Sequence, residues 1–149
     1  MRAGEICNRE VVVIDTDSSI AEAAKVMREY HVGDLVVVTE KYGKQSPIGI
    51  LTDRDITLEI VARGIDPESV SVGDAMSFEL VSADENDDFM HVIETMRDHG
   101  VRRLPVVDAN QALLGILSID DVLDLIGEIF IDIAHLVDRQ NRREVRTRP

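Results

Sequence analysis

Aromatic side chains and cysteine are scarce in this sequence. Aromatic residues make up 3% of its 149 residues and tryptophan is absent, which argues against a nucleic-acid surface built on base stacking. Cys7 is the only cysteine, so the chain has no intrachain disulfide and no thiolate metal cluster. No apolar run reaches the roughly 18–20 residues of a membrane span, and the N-terminus lacks a signal-peptide core. We therefore expect a soluble cytoplasmic protein.

Basic residues are also scarce, with 16 Lys and Arg against 29 Asp and Glu and a formal net charge of −13. Such a chain repels nucleic acids and anionic membranes as a whole, so we expect neither as a partner. The imbalance is uneven, because residues 138–149 contain five arginines and two acids, whereas residues 1–137 carry a net −16. A basic end on an acidic body is typical of a solvated helix end or a disordered terminus.

The sequence contains two copies of one segment. With a shift of 69 residues, residues 4–38 align on 73–107 without a gap, and VMREYHVGDLVVV (26–38) shares six residues with TMRDHGVRRLPVV (95–107). After a predicted loop at 40–47, which is three residues longer than its counterpart, GILTDRD (49–55) aligns on GILSIDD (115–121). Several matches in one order indicate an internal duplication.

Each copy predicts the element order βαββα. Short runs with β-branched residues at 11–14 and 79–83 predict a first strand, and the acidic, hydroxyl-rich stretches before Ile20 and Phe89 predict helix starts. Continuous apolar runs, LVVV and LPVV, predict strands that are buried on both faces. A short strand ending in GIL and a second helix complete each copy.

The duplication predicts an α/β (α+β) fold in which two βαββα motifs pack as a pseudo-two-fold pair. A unit of about 60 residues buries only about 60% of its surface, so neither copy is expected to be stable alone. Gly64 and Pro67 mark the joint. We expect one motif at 1–66, a second at 67–127, and a C-terminal helix extension with the basic tail at 128–149. Clefts where the two halves meet favour small-molecule binding.

The repeated hydroxyl and aspartate in GILTDRD and GILSIDD allow two interpretations. Thr52 and Ser118 can cap a helix, while Asp55 and Asp121 return a hydrogen bond to the N–H of the cap residue. Alternatively, the helix N-terminus attracts an anion, and the ionised aspartate accepts hydrogen bonds from both hydroxyls of a ribose. The residue types fit both.

These motifs, with VGDAM (72–76) and VRRLPVVD (101–108) in the second copy and VGDLVVV (32–38) in the first, resemble those of the cystathionine-beta-synthase (CBS) domain pair, or Bateman module. The resemblance covers residues 3–127, nearly the entire chain, and therefore suggests a stand-alone module. It implies a regulatory protein without catalytic activity that binds AMP, ADP, ATP or NAD between its motifs and signals to a partner protein. The alternatives are a regulator that binds S-adenosylmethionine and a structural or interaction module with no ligand.

The resemblance also implies which residues line each cleft. In the main cleft these are Ile50, Thr52, Arg54, Asp55, Leu80, Val81, Arg102 and Arg103. In the second cleft they are Val11, Val12, Gly33, Asp34, Ile116, Ser118, Asp120 and Asp121. By this resemblance, the apolar strand residues hold the adenine and the aspartate holds the ribose.

The two clefts differ in charge. Arg102 and Arg103 supply guanidinium donors suited to phosphate, whereas the equivalent Gly33 and Asp34 supply no cation and one anion. A phosphate that faces Asp34 is repelled by roughly 1–4 kcal/mol at close range. We therefore expect the main cleft to be the principal nucleotide site and the second to be empty or weak. The alternative is that the two arginines are surface cations on an acidic protein.

Other groups of side chains give weaker signals. The acids at 84, 85, 87 and 88 can gather a hard cation, but their spacing matches no established loop, and acids are favoured at a helix start in any case. The four histidines share no ligand spacing. No nucleophile, base and orienting acid form a catalytic set. We expect neither a metal nor enzymatic activity.

An apolar stripe extends past the region of resemblance, with residues recurring every three and four positions. Its members are Ile119, Val122, Ile126, Ile129, Ile133 and Leu136. Either this long helix packs on its own domain, or it contributes to a homodimer, which the resemblance also implies. A nucleic-acid-binding regulator that uses the arginine tail is a further possibility, which the net charge of −16 on residues 1–137 disfavours.

Overall fold

A computed structural model of the protein describes residues 1–77 and 79–148. It forms two compact units, one from Met1 to Leu117 and one that begins at Ser118. The first copy comprises α1 (Ala3–Ile6), β1 (Val13–Ile14), α2 (Ile20–Tyr30), β2 (Asp34–Lys41), β3 (Lys44–Thr52) and α3 (Asp53–Asp55), which continues into a π-helical segment (Ile56–Val61). The second comprises α4 (Val72–Ala75), β4 (Ala83–Asp84), α5 (Phe89–His99), β5 (Arg103–Val107), β6 (Leu113–Ser118) and α6 (Ile119–Thr147).

Each copy builds a small three-stranded sheet, in the order β1-β2-β3 and β4-β5-β6. β1 runs parallel to β2, and β2 runs antiparallel to β3 with Asp34 opposite Thr52. β4 likewise pairs with β5 in parallel, with Ala83 opposite Val106. The predicted mixed α/β fold, with one small sheet from each of the two copies, is therefore confirmed.

The middle strands form the centre of the two sheets. Leu35, Val36 and Val37 of β2 are fully buried, as are Leu104 and Val106 of β5. These runs lack alternation because both faces of the strand are covered, as the sequence predicts. Helix α2 packs on the first sheet through the side chains of Ile20, Ala23 and Met27.

The predicted helix starts are confirmed. Ser19 caps α2, its hydroxyl accepting a hydrogen bond from the N–H of Glu22 (3.1 Å), while the Glu22 carboxylate accepts one from the N–H of Ser19 (2.9 Å). Asp88 caps α5 by accepting from the N–H groups of Met90 (2.9 Å) and His91 (3.1 Å). These contacts satisfy N–H groups that a helix leaves open at its first turn.

The prediction of a loop at residues 40–47 is wrong. β2 and β3 extend through it and meet in a two-residue turn at Tyr42 (φ 52°) and Gly43 (φ 74°). Two consecutive residues with positive φ fit the right-handed twist of a hairpin, so the strands continue to the turn. The first strands are also shorter than predicted, because β1 and β4 form only two ladder pairs each with their parallel neighbours.

The second helix of each copy differs. In the first copy, the segment after α3 has π-helical hydrogen bonds, such as that from the Ala62 N–H to the Thr57 carbonyl (2.9 Å). In the second copy, α6 is a regular helix of 29 residues that includes four of the tail arginines, so the helix-end interpretation of the tail is correct. Within residues 1–77 and 79–148, no helix has both the length and the apolar character needed to cross a membrane.

The short helices α1 and α4 are exchanged between the two copies, because each binds to the other copy rather than to its own. Each donates two backbone hydrogen bonds to the loop that follows the first strand of the other copy. The four bonds are Ala3 to Asp87 (2.8 Å), Gly4 to Glu85 (2.9 Å), Val72 to Ser18 (2.8 Å) and Gly73 to Thr16 (3.0 Å). Donors and acceptors are related by the 69-residue shift, as an approximate two-fold relation between the copies requires.

Candidate functional site

A cavity of about 470 Å³ opens between the two copies within the first unit. The first copy forms one wall with the end of β3 and with α3. The second copy forms the other wall with residues 79–81 and with the turn 100–103 that leads into β5. Ile50, Leu80 and Val81 supply apolar surface beside hydroxyl, carboxylate and guanidinium groups. This volume and this mixture of side chains are typical of a small-molecule site.

The eight residues predicted for the main cleft all line this cavity: Ile50, Thr52, Arg54, Asp55, Leu80, Val81, Arg102 and Arg103. Five further residues line it that the sequence analysis did not assign to it: Asp53, Ser77, Glu79, Gly100 and Val101. Asp53 lies directly between the predicted Thr52 and Arg54, and its counterpart in the second copy is Ile119. Nucleotide binding by these residues stays a prediction.

Thr52 and Asp55 form a capping box. The Thr52 hydroxyl accepts a hydrogen bond from the Asp55 N–H (3.1 Å), and Asp55 Oδ2 accepts one from the Thr52 N–H (2.9 Å). The structural interpretation of this motif is therefore correct. It leaves the ligand interpretation open, because Asp55 Oδ1 makes no hydrogen bond within the described part of the chain and the residue lines the cavity.

Gly49 lets the linker after α4 pass close to β3. A Cβ atom at this position would lie 2.7 Å from Met76 Sδ and 2.8 Å from the Ser77 carbonyl oxygen. The Ser77 N–H donates to the Ile50 carbonyl (3.0 Å), which fixes the linker beside the strand end that carries Thr52. The glycine of GIL is thus explained by close backbone approach, which only glycine permits.

Arg103 forms an ion pair with Asp34 through Nη1 and Oδ1. Both side chains are largely covered, with 28% and 23% of their surfaces exposed. The resemblance to the CBS-domain pair had placed Asp34 in the second cleft. Its pairing with Arg103 means that a carboxylate already contacts the most enclosed cation of the main cleft.

Asp34 lies in an unfavourable electrostatic environment for a carboxylate. Burial raises its pKa above the ordinary value, and the nearby carboxylate of Asp53 adds to the rise, while Arg103 opposes it. Burial outweighs the ion pair because removing a carboxylate from water penalises its charged form. Arg103 is therefore held by a partner that is itself destabilised in the ionised state.

The formal charges on the cavity wall cancel. Arg54, Arg102 and Arg103 face the acids Asp53, Asp55 and Glu79. Arg54 and Arg102 are exposed and take part in no ion pair among residues 1–77 and 79–148. An anion that enters the cavity therefore meets two available guanidinium groups and a third that Asp34 holds.

The residues predicted for the second cleft fall partly in each unit. In the first unit, the Val12 carbonyl accepts from the Val36 N–H (3.1 Å), and Ile116 exchanges two hydrogen bonds with Asn8 (2.8 and 2.9 Å). Val11 is half-buried there. In the second unit, Ser118 and Asp121 form a capping box at the start of α6, and Asp120 is exposed. A second ligand site stays a prediction.

The acids at 84–88 are used by the backbone. Asp84 Oδ1 accepts from the Asn86 N–H (2.9 Å), and Asp87 Oδ2 accepts from the Asp84 N–H (2.9 Å), while Asp88 caps α5. Their placement thus follows from turn and cap geometry. Across residues 1–77 and 79–148, no group of three or more His, Cys, Asp or Glu side chains is arranged to hold a metal ion.

The CBS domain family matches this chain twice, at residues 3–62 and 72–128. The protein belongs to the CBS-domain family. The two matched segments are the two copies described above, so the chain contains a CBS-domain pair, as its motifs suggested. Proteins with such pairs are generally regulatory.

Two relatives show how far the similarity extends. The CBS domain-containing protein YhcV of Bacillus subtilis is 38% identical over 113 residues, which are 76% of each chain. The uncharacterized protein MK0525 of Methanopyrus kandleri is 36% identical over 122 residues, 82% of this chain. The match spans 61% of the length of MK0525, less than two thirds of that relative.

Three solved structures are similar in fold. Hypoxic Response Protein I, with two coordinated zinc ions, has a TM-score of 0.71 and 29% identity over 83% of this chain and 98% of its own. The cytosolic domain of the Mg²⁺ channel MgtE, in complex with ATP, has a TM-score of 0.70 and 28% identity over 83% of this chain and 48% of its own. A hexameric CBS-CP12 protein from bloom-forming cyanobacteria has a TM-score of 0.72 and 30% identity over 97% of this chain and 86% of its own.

Proposed function

We propose that this CBS-domain pair is a cytoplasmic, non-catalytic sensor that binds AMP, ADP, ATP or NAD in the main cleft and signals to a partner protein. The observation that carries the proposal is the cavity that Thr52 and Asp55 of one copy share with Arg102 and Arg103 of the other. A carboxylate and guanidinium groups on facing walls match the two polar parts of a nucleotide, its ribose and its phosphate.

Each part of the nucleotide has a complementary group on the cavity wall. Ile50, Leu80 and Val81 offer apolar surface to the adenine. Asp55 Oδ1 can accept a hydrogen bond from a ribose hydroxyl without breaking the capping box, which uses Oδ2. Arg102 and Arg54 supply guanidinium donors for phosphate, and Arg103 joins them when it leaves Asp34.

The proposed signalling depends on the fact that the two walls of the cavity belong to different copies. A ligand that contacts Asp55 in the first copy and Arg102 in the second stabilises the arrangement of copies in which both contacts form. It shifts the conformational equilibrium only by the difference in its affinity for the two arrangements. The ATP complex of the MgtE cytosolic domain supports an adenine nucleotide as the ligand class.

A thermal-shift screen of the full chain tests the proposal. AMP, ADP, ATP, NAD and S-adenosylmethionine are compared, with GMP as the control for the base. A true ligand at 100 times its dissociation constant stabilises the fold by about 2.7 kcal/mol, which raises the melting temperature by several degrees. An equal response to GMP contradicts recognition of adenine, and no response to any compound favours an interaction module without a ligand.

Zinc chloride belongs in the same screen, because Hypoxic Response Protein I holds two zinc ions. We expect no zinc-dependent stabilisation, given that the described residues offer no metal-binding cluster. A zinc-dependent rise in melting temperature that EDTA reverses contradicts this expectation.

A further inference from the structure

The second half of α6 exposes a row of large apolar side chains. Every described residue from Glu128 onward is exposed to solvent. Five of the apolar residues lie on one face, because they recur at spacings of three and four: Ile129, Phe130, Ile133, Leu136 and Val137. We call this face the α6 stripe. Between 41% and 68% of each side chain is exposed, more than a helix of a monomer usually leaves on one face.

The charges on α6 are separated along its length. Residues 119–132 contain five acids and no Lys or Arg, whereas residues 138–148 contain five arginines and two acids. The α6 stripe lies between the acidic and the basic segment. Two copies of α6 that run in opposite directions therefore place the acidic segment of each beside the basic segment of the other, while parallel copies place like charges side by side.

We propose that the α6 stripe is a self-association surface on which two copies of this chain pair through antiparallel α6 helices. An alignment that sets Ile133 of one copy against Leu136 of the second copy joins the two stripes at their centres. In this alignment Phe130 faces Val137, and Asp132 comes beside Arg139 of the second copy. Each of these contacts occurs twice by symmetry, as a two-fold interface requires.

Parallel pairing is less favourable for a specific reason. Continuing the stripe by steps of four and three leads from Leu136 to Gln140 and then to Arg143. Parallel helices in register would place Arg143 against Arg143 of the second copy at a core position. The antiparallel arrangement sets Arg143 against Ile126 instead, where the arginine stem can cover apolar surface.

Sedimentation velocity of the full chain at several concentrations tests the pairing. We expect a dimer that dissociates on dilution. Asp132→Arg should raise its dissociation constant by about tenfold, because two opposite-charge contacts become two like-charge contacts. The double variant Asp132→Arg, Arg139→Asp should restore the parent value, since antiparallel copies again bring opposite charges together.

Glu128→Arg is the matched control. It makes the same charge change on α6, but on the helix face away from the α6 stripe, and should leave the dissociation constant within about twofold of the parent. A parent chain that stays monomeric overturns the proposal. A dimer that tolerates Leu136→Lys places the interface elsewhere and overturns it too. Failure of the double variant to recover, with a normal circular dichroism spectrum, overturns the antiparallel direction.

Discussion

Arg103 and Asp34 occupy equivalent positions in the two copies, 69 residues apart, and form an ion pair with each other. Side chains near a two-fold axis meet their own counterparts, so a duplicated chain that varies one such position can create a pair of opposite charges. Here the pair borders the cavity through Arg103. In the proposed binding mode, a ligand phosphate therefore competes with the Asp34 carboxylate for one guanidinium group.

Asp34→Asn should tighten the binding of AMP. The substitution keeps a hydrogen-bond acceptor beside Arg103 but removes a negative charge next to the phosphate position. We expect affinity to rise by about fivefold, which corresponds to about 1 kcal/mol of relieved repulsion and competition. Calorimetric titration measures this change, with Glu59→Asn as a control that removes a surface carboxylate paired with Arg63. Weaker binding by Asp34→Asn contradicts this role for the ion pair.

Asp34 should also affect stability in a pH-dependent way. Its raised pKa means that the folded state binds the proton more tightly than the unfolded state, so ionisation of Asp34 destabilises the fold. Asp34→Asn should therefore increase the free energy of unfolding at pH 7. The gain should disappear below about pH 4, where the carboxyl is protonated in both states. Urea denaturation at pH 7 and pH 3.5 measures the difference.

Asp108 provides a control of opposite sign. Hydrogen bonds from the backbone N–H groups of Ala112 (2.9 Å) and Asn110 (2.8 Å), together with Lys44, lower its pKa. Ionised Asp108 therefore stabilises the fold, and Asp108→Asn should lower the free energy of unfolding at pH 7. That loss should shrink as the pH falls through the lowered pKa. If Asp34→Asn also lowered the free energy of unfolding at pH 7, the assignment for Asp34 would be wrong.

The two capping boxes separate the structural role of the repeated aspartate from its proposed role in binding. Asp55→Asn and Asp121→Asn both retain an acceptor for the cap N–H, so each should cost only about 0.5–1 kcal/mol of stability. Only Asp55→Asn should weaken AMP binding, by about tenfold, because it removes the charged acceptor beside the ribose position. Equal affinities in the two variants, measured by calorimetry, would show that Asp55 has a structural role alone.

The glycines of the two GIL motifs should tolerate no side chain. A Cβ atom at Gly115 would lie 2.6 Å from Cys7 Sγ and 2.7 Å from the Asn8 carbonyl oxygen, mirroring the contacts at Gly49. Gly49→Ala and Gly115→Ala should each destabilise the fold by about 1–3 kcal/mol through overpacking. Gly127→Ala is the control, because nothing lies within 4 Å of its Cβ position and alanine favours a helix by about 0.5–1 kcal/mol. Thermal denaturation of the three variants measures the contrast.

Much of the fold follows from local patterns in the sequence. Capping residues such as Ser19 and Asp88 determine where helices begin, and uninterrupted apolar runs determine the buried strands. The duplication brings Thr52 and Asp55 to one strand end and the two arginines to the start of another strand. The residues of the main cleft were assigned from the resemblance to the CBS-domain pair, and their role in binding stays a prediction.

The remaining features depend on contacts between distant segments. The turn at Tyr42 requires a positive φ that tyrosine seldom adopts. The residue type at this position therefore does not predict a hairpin turn. The exchange of α1 and α4 depends on hydrogen bonds between residues more than 50 apart. The pairing of Asp34 with Arg103 requires knowing which equivalent positions lie near the axis. The resemblance to the CBS-domain pair placed these two residues in different clefts and gave no indication that they contact each other.

A calorimetric titration of AMP into the full chain and into Arg103→Ala tests nucleotide binding in the main cleft most directly. We expect saturable binding by the parent and at least about tenfold weaker binding by Arg103→Ala, since a charge-assisted hydrogen bond to phosphate is lost. Arg63→Ala, which removes an exposed arginine paired with Glu59, should bind like the parent. Equal affinities for the parent and Arg103→Ala would contradict nucleotide binding in the main cleft.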